Sequence, residues 1–150
     1  MKMKLVSFRL IMLAALLGIF GCATSPSNCK HVPVPDSSRM QGSWTGHEAG
    51  NPAEGKCQFI IIGNKFEFHG TGDAAGEWYK GTFTLKEDAN PKQFIATITD
   101  TSLPQYKGQV SLAIYKFDGA KFIMTANEPG KTEAPAGFDS SDSRAVEFSK

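Results

Sequence analysis

Few side chains in this 150-residue chain have the types and spacing that catalysis or metal binding requires. The histidines are His31, His47 and His69. Ser43 or Cys57 would serve as a nucleophile only if folding brought it beside His47. No segment matches a nucleophile elbow or a zinc-binding signature, and His47 and His69 would share a metal only if their strands aligned. We therefore predict a protein that is not an enzyme, with no catalytic residue, no metal site and no cofactor.

The first residues follow the pattern of a secretory signal. Lys2, Lys4 and Arg9 precede an apolar run at residues 10–20, "LIMLAALLGIF". That run is about half of the roughly 20 residues that a membrane-spanning helix needs. A positive start followed by a short apolar stretch predicts a cleaved signal peptide over residues 1–21.

Residues 19–22, "IFGC", resemble the lipobox of bacterial lipoproteins. The resemblance implies that Cys22 receives a diacylglyceryl group and that, after cleavage, its new amine is acylated too. Two or more acyl chains, at about 0.8 kcal/mol per buried methylene, hold a protein on a membrane almost permanently. Because Ala23 rather than aspartate follows the cysteine, the resemblance implies the outer membrane. Ordinary cleavage after Ala23 is the alternative and predicts a secreted or periplasmic protein.

The two other cysteines, Cys29 and Cys57, would then lie in a compartment that permits disulfides. A bridge between them would join the N-terminal segment to the second strand. The alternative is two thiols, with Cys29 exposed and Cys57 buried. Spacing alone does not show whether the two Cα atoms come within bridging distance.

Charge and composition bound the partners and the domains. The formal net charge is +1 for the whole chain, and loss of the three cations in residues 1–21 changes it to −2. A domain without a basic surface argues against nucleic acid as a partner. Residues 22–39 are rich in proline, serine and other polar types and predict a flexible tether. Residues 40–150 are a normal size for one domain.

Beyond residue 40 the chain alternates apolar and polar residues, with turn signals about every ten residues. Gly63-Asn64 and Asp118-Gly119 are strong signals for two-residue hairpin turns. Eight short strands with mostly short connections predict an all-β fold, either an eight-stranded antiparallel up-and-down barrel or its flattened relative, a meander sandwich. The predicted strands are 43–48, 57–62, 65–69, 77–86, 93–99, 109–117, 121–126 and 145–149.

The same alternation predicts which side chains point inward. Trp78 falls on the outer face, either as a surface contact residue or as a partly exposed tryptophan. Rings from successive hairpins would meet in one apolar interior, where they could line a ligand cavity. The predicted lining residues are Phe66, Phe68, Tyr79, Phe83, Phe94, Phe122, Met124 and Phe148.

Gly42-Ser43-Trp44 opens the first strand as a G-x-W motif, which resembles the lipocalin superfamily. The resemblance implies a lipocalin-like barrel in which Gly42 permits a tight turn and Trp44 plugs the closed end. The chain is also similar to a narrower, functionally uncharacterised lipocalin-like domain of secreted proteins in planctomycete-type bacteria. The segments that carry this likeness span residues 40–138 and are "MQGSW", "GTFTL", "PKQFIATI", "YKGQVSLAIYKFDGAKFIM" and "EPGKTEAPAGF".

The chain departs from the lipocalin pattern near its end. Lipocalins carry a basic residue at the end of the last strand that covers the tryptophan, followed by a C-terminal helix. Here Arg144 precedes the last strand, and Lys150 is the only cation that this layout places near Trp44.

Two functions without catalysis fit this chain. The lipocalin resemblance implies a membrane-anchored envelope lipoprotein that binds a small hydrophobic ligand at the mouth of its barrel. Alternatively, a barrel filled by its own rings would act through its surface, as an interaction or inhibitor module for an envelope protein. The long connection at residues 127–144 suits either function, as a binding loop or as a plain surface loop. An interior cavity of roughly 300 Å³ or more would favour the ligand.

Overall fold

The alternating segments form eight antiparallel strands that pair in chain order and close into one barrel. The computed structural model describes residues 32–139 and 144–150. Each strand begins and ends within two residues of its predicted bounds. The strands are β1 (Gly42–Glu48), β2 (Cys57–Ile62), β3 (Lys65–Gly70), β4 (Trp78–Lys86), β5 (Lys92–Thr101), β6 (Val110–Asp118), β7 (Lys121–Ala126) and β8 (Ala145–Ser149). The prediction of an all-β up-and-down barrel is confirmed.

Pairing of β1 with β8 makes this a barrel rather than an open meander. The register runs from Thr45 opposite Ser149 to Glu48 opposite Val146. Closure removes both edges of the sheet, which would otherwise expose unpaired backbone groups to other chains.

The two predicted hairpin turns differ in one detail. Ile62 pairs with Lys65, so Gly63-Asn64 is the loop, as predicted. Asp118 pairs with Lys121, so the second loop lies one residue further along the chain than predicted. In both turns the glycine, Gly63 or Gly119, takes the first loop position with positive φ. This placement puts each glycine where an L-residue with a side chain would be strained.

The strands run alternately between two ends of the barrel. At the closed end lie the start of β1 and the short turns between β2 and β3, β4 and β5, and β6 and β7. At the open end lie the longer connections at residues 49–56, 71–77 and 102–109, and the described parts of the last connection, residues 127–139 and Arg144. Two of them contain short 3₁₀ helices, Gly72–Ala74 and Pro104–Tyr106. Within the described part of the chain, no helix is long and apolar enough to cross a bilayer.

The core of the barrel contains several aromatic rings that pack on one another. Phe122 stacks on Phe148 with ring centroids 4.6 Å apart. Phe83 stacks on Phe94 at 4.5 Å. The Trp44 ring meets Phe122 edge-on at 4.8 Å. Such pairs add to the free energy gained from burying the rings themselves.

A single-turn helix, α1 (Asp36–Arg39), covers the closed end of the barrel. Asp36 is 4% exposed, and Met40, directly after the helix, is fully buried. The compact unit that contains the barrel begins at Pro33. The predicted tether therefore extends too far along the chain, because its last residues are held by contacts that no local pattern reveals. Residues 22–31 lie outside the described residues.

Candidate ligand site at the open end of the barrel

A cavity of about 260 Å³ occupies the half of the barrel nearer the open end. We call it the open-end cavity. Its wall includes Asn127, Pro129 and Arg144, all from connections at the open end, so the cavity communicates with solvent there. The rest of its lining is mainly aromatic and aliphatic. An apolar cavity of about 150 Å³ is large enough to hold benzene, so this volume suits a small organic molecule.

Six of the eight predicted lining residues line this cavity: Phe66, Phe68, Tyr79, Phe94, Met124 and Phe148. The prediction is wrong for Phe83 and Phe122, which do not contribute to its wall. Both point into the barrel as expected, and each stacks on a ring that does line the cavity, Phe83 on Phe94 and Phe122 on Phe148. Alternation fixes the face on which a side chain lies, and not its depth along the barrel axis.

The ring of Phe59 is a central lining residue that the sequence analysis does not predict. Its centroid lies 6.0 Å from those of Phe66 and Phe94 and 5.4 Å from that of Phe148. It lies in the run "QFIII", where consecutive apolar residues fall on both faces of the strand, so alternation does not identify the inward face. The hairpin signal at Gly63-Asn64 was sufficient to find it, because that turn places Phe59 directly opposite Phe68.

Small side chains create the space above these rings. Ala96 and Ala113 line the cavity from neighbouring strands β5 and β6.

Gly46 also faces inward, and a Cβ atom there would lie 2.6 Å from Cys57 Sγ and 2.7 Å from Phe148 Cε1. Glycine at this position therefore lets the thiol and the ring approach the β1 backbone.

Trp44 lies at the closed end, 3% exposed, at the opposite end of the barrel from the cavity mouth. Its indole Nε1 donates a hydrogen bond of 2.7 Å to the Met40 carbonyl oxygen. Lys150 Nζ lies 4.6 Å from the ring centroid, close enough for a cation–π contact. Gly42 has a φ of 110°, a conformation that favours glycine. The cation that covers the tryptophan is thus Lys150, and Arg144 is at the open end.

Two tyrosines and two glutamates shape one side of the cavity mouth. The rings of Tyr79 and Tyr106 have centroids 6.3 Å apart. The Tyr106 hydroxyl donates a hydrogen bond of 2.6 Å to Glu128 Oε1, and this bond raises its pKa. Burial raises the pKa of Tyr79, and the negative charges of Glu77 and Glu128 raise it further. Two carboxylates, those of Glu77 and Glu128, thus act on the tyrosines on this side of the mouth.

Arg144 forms the other side of the mouth and is paired with a carboxylate. Its Nη1 lies 3.3 Å from Glu48 Oε2. Glu48 is the last residue of β1, so this ion pair joins β1 to the residue that precedes β8.

The start of the long connection is fixed to the barrel. The Asn127 amide donates to the Leu112 carbonyl oxygen at 3.0 Å, and the Gly130 amide donates to Val110 at 2.9 Å. The predicted binding loop thus begins as an ordered segment against β6, and it contributes Asn127 and Pro129 to the cavity wall.

The residues considered for chemistry are dispersed. His47 pairs with Glu147, and His69 pairs with Glu67. The two histidines lie on β1 and β3, which are separated by β2. Among the residues that the structure describes, no three His, Cys, Asp or Glu side chains group as a metal site would require. Trp78 is half-buried on the outer face, with Lys80 Nζ 5.7 Å from its ring.

Cys57 is buried and points into the barrel beside Gly46. Burial raises the pKa of its thiol to about 11. The proposed bridging partner Cys29, the lipidation candidate Cys22 and His31 lie outside the described residues.

Comparison with protein-family models, with curated proteins and with solved structures found no match to this chain.

Proposed function

We propose that this chain is a membrane-anchored envelope lipoprotein whose barrel binds a small apolar ligand in the open-end cavity. The observation that carries the proposal is the cavity itself, about 260 Å³, open at one end and walled by aromatic rings. Ligand sites are typically concave and mainly apolar, with few polar groups. The volume lies just below the roughly 300 Å³ at which such sites usually begin, so a compound of one or two rings fits better than a long acyl chain.

Filling the cavity provides the test. Ala113→Leu should place a larger side chain in the wall and weaken binding of naphthylmethanol, a neutral two-ring probe, by at least about tenfold in titration calorimetry. Ala96→Leu fills it from the neighbouring strand and gives a second measurement if Ala113→Leu fails to fold. Ala120→Leu, in an exposed turn at the closed end, is the matched control and should bind like the parent chain. Equal affinity in a folded cavity-filling variant and the control would contradict the proposal.

We base the anchoring part of the proposal on the N-terminal residues, and it needs its own test. Protein isolated from its host envelope should have a mass that corresponds to cleavage before Cys22 and to acylation at that residue. A Cys22→Ser variant should be found in the soluble fraction. Unacylated protein of the parent sequence would instead favour a secreted or periplasmic protein. This outcome leaves the cavity experiment unaffected.

The second candidate function, a protein-interaction or inhibitor module of the envelope, is favoured by the half of the barrel that is filled. There Trp44 packs edge-on against Phe122, and neither ring lines the cavity. If the parent chain binds none of a series of small apolar probes, this function becomes the preferred one.

A further inference from the structure

The ends of the barrel carry opposite charge. The open-end segments contain eight acidic and four basic residues. These segments are residues 48–56, 70–77, 100–109 and 127–139, together with Arg144. The closed-end segments contain six basic and four acidic residues. These segments are residues 33–41, 62–65, 86–92 and 118–121, together with Lys150. A ligand that enters the open-end cavity therefore passes through a negative potential, although the formal charge of the whole chain is +1.

The negative charge acts directly on the cavity wall. Glu77 and Glu128 both raise the pKa of Tyr79, whose ring lines the cavity. Glu128 is fixed at the mouth by the hydroxyl of Tyr106 at 2.6 Å. The Tyr79 ring lies between those of Tyr106 and Phe68, with centroids 6.3 Å and 6.1 Å away. Three neighbouring rings and two carboxylates thus occupy the same side of the mouth.

Arg144 is the one cation, among the described residues, that lines the cavity. It does not reverse this potential, because Glu48 Oε2 lies 3.3 Å from its Nη1. Solvent screens the charges on both sides of the mouth, because the Arg144 side chain is 76% exposed and Glu77 and Glu128 are exposed as well.

We propose that the ligand is a small lipophilic cation, with an apolar body in the open-end cavity and an ammonium group at the mouth. This inference rests on the proposed function and names the chemical class of its ligand. The ammonium group would lie near Glu77 and Glu128, and within cation–π distance of the Tyr79 or Tyr106 ring. The apolar body would pack against the deeper rings, such as Phe59 and Phe94.

Three probes with one naphthyl body and different charge test this inference on the full chain at pH 7. They are naphthylmethylamine, a cation; naphthylmethanol, which is neutral; and naphthoate, an anion. We expect the amine to bind most tightly and the anion most weakly, with a ratio of about tenfold or more between them. The ratio should decrease as salt is added, because the carboxylates are near solvent.

The double variant Glu77→Gln with Glu128→Gln should bring that ratio close to one, while glutamine at 128 can still accept a hydrogen bond from Tyr106. Asp88→Asn with Asp118→Asn removes the same charge at the closed end and should leave the ratio unchanged. If none of the three probes binds, the proposed function fails. If naphthoate binds as tightly as the amine, or if the closed-end control lowers the ratio equally, this inference fails and the apolar-ligand function stands.

Discussion

The Tyr115 hydroxyl donates a hydrogen bond of 3.0 Å to Asp36 Oδ2, and the two residues are 79 positions apart in the chain. Both are buried at the closed end. Lys92 Nζ contacts the same carboxylate oxygen. The Asp36 amide donates to Glu87 Oε2 at 3.2 Å. One aspartate thus fastens α1 to strand β6 and to the turn between β4 and β5.

We expect Asp36→Ala to lower the free energy of unfolding by about 2–4 kcal/mol. The substitution leaves the buried Tyr115 hydroxyl without its acceptor and removes the partner of Lys92. Tyr115→Phe should cost less, about 1–2 kcal/mol, because Lys92 still neutralises the carboxylate. Urea denaturation of the full chain measures both values. Asp88→Ala, an exposed acidic residue at the same end, is the control and should change stability by less than about 0.5 kcal/mol. Similar values for Asp36→Ala and Asp88→Ala would show that α1 is not held by this carboxylate.

The two tryptophans should report different environments. Trp44 is buried beside Phe122, whereas Trp78 is half-buried on the outer face. Fluorescence from a Trp78→Phe variant, which retains Trp44, should be blue-shifted and protected from acrylamide. Fluorescence from Trp44→Phe should be red-shifted and readily quenched. Trp44→Ala should also cost about 3–5 kcal/mol of stability, the usual range for deletion of a buried large ring.

Equal quenching of the two single-tryptophan variants would contradict the burial of Trp44. Lys150→Ala offers a milder test of the same contact, with an expected loss of about 0.5–1 kcal/mol for an exposed cation–π pair.

Strand positions could be predicted because their physical cause is local. Half-buried strands such as β3 alternate apolar and polar residues, and glycines with positive φ mark turns between strands. The hairpin at Asp118-Gly119 was placed one residue early, because the dipeptide fits either alignment. Only the pairing of Asp118 with Lys121 decides between them.

The depth of a side chain and the contacts of α1 could not be predicted, because both depend on residues far away in the chain. Phe83 and Phe94 both face inward, yet only Phe94 reaches the cavity. The segment "DSSR" is short and polar, and nothing within it indicates that Asp36 becomes buried. Its burial depends on Tyr115 and Lys92, which fold onto it from other strands.

Gly46 should tolerate no side chain while its neighbours are intact. A Cβ atom at this position would overlap Cys57 Sγ and the Phe148 ring, so we expect Gly46→Ala to cost about 1–3 kcal/mol. In a Cys57→Ala background the thiol is gone, and the same substitution should cost at least about 0.5 kcal/mol less. Urea denaturation of the four proteins in this cycle gives the coupling. A coupling of zero would mean that the thiol does not limit this position.

Stability should fall in alkaline solution because of Cys57. Burial raises the pKa of its thiol from 9.0 to about 11, although contact with the Gly46 backbone opposes the shift. Between these values the unfolded chain loses the proton and the folded chain keeps it, so the stabilisation is complete below pH 9 and is lost as the pH rises toward 11. Two pKa units correspond to about 3 kcal/mol.

The tyrosines with raised pKa add a loss of stability above about pH 10 that is common to the parent and to Cys57→Ala. The difference between the denaturation curves of these two proteins therefore isolates the contribution of the thiol. Under reducing conditions the parent should lose stability from pH 9 to 10.5 more steeply than Cys57→Ala, and parallel pH profiles would contradict the burial of this thiol.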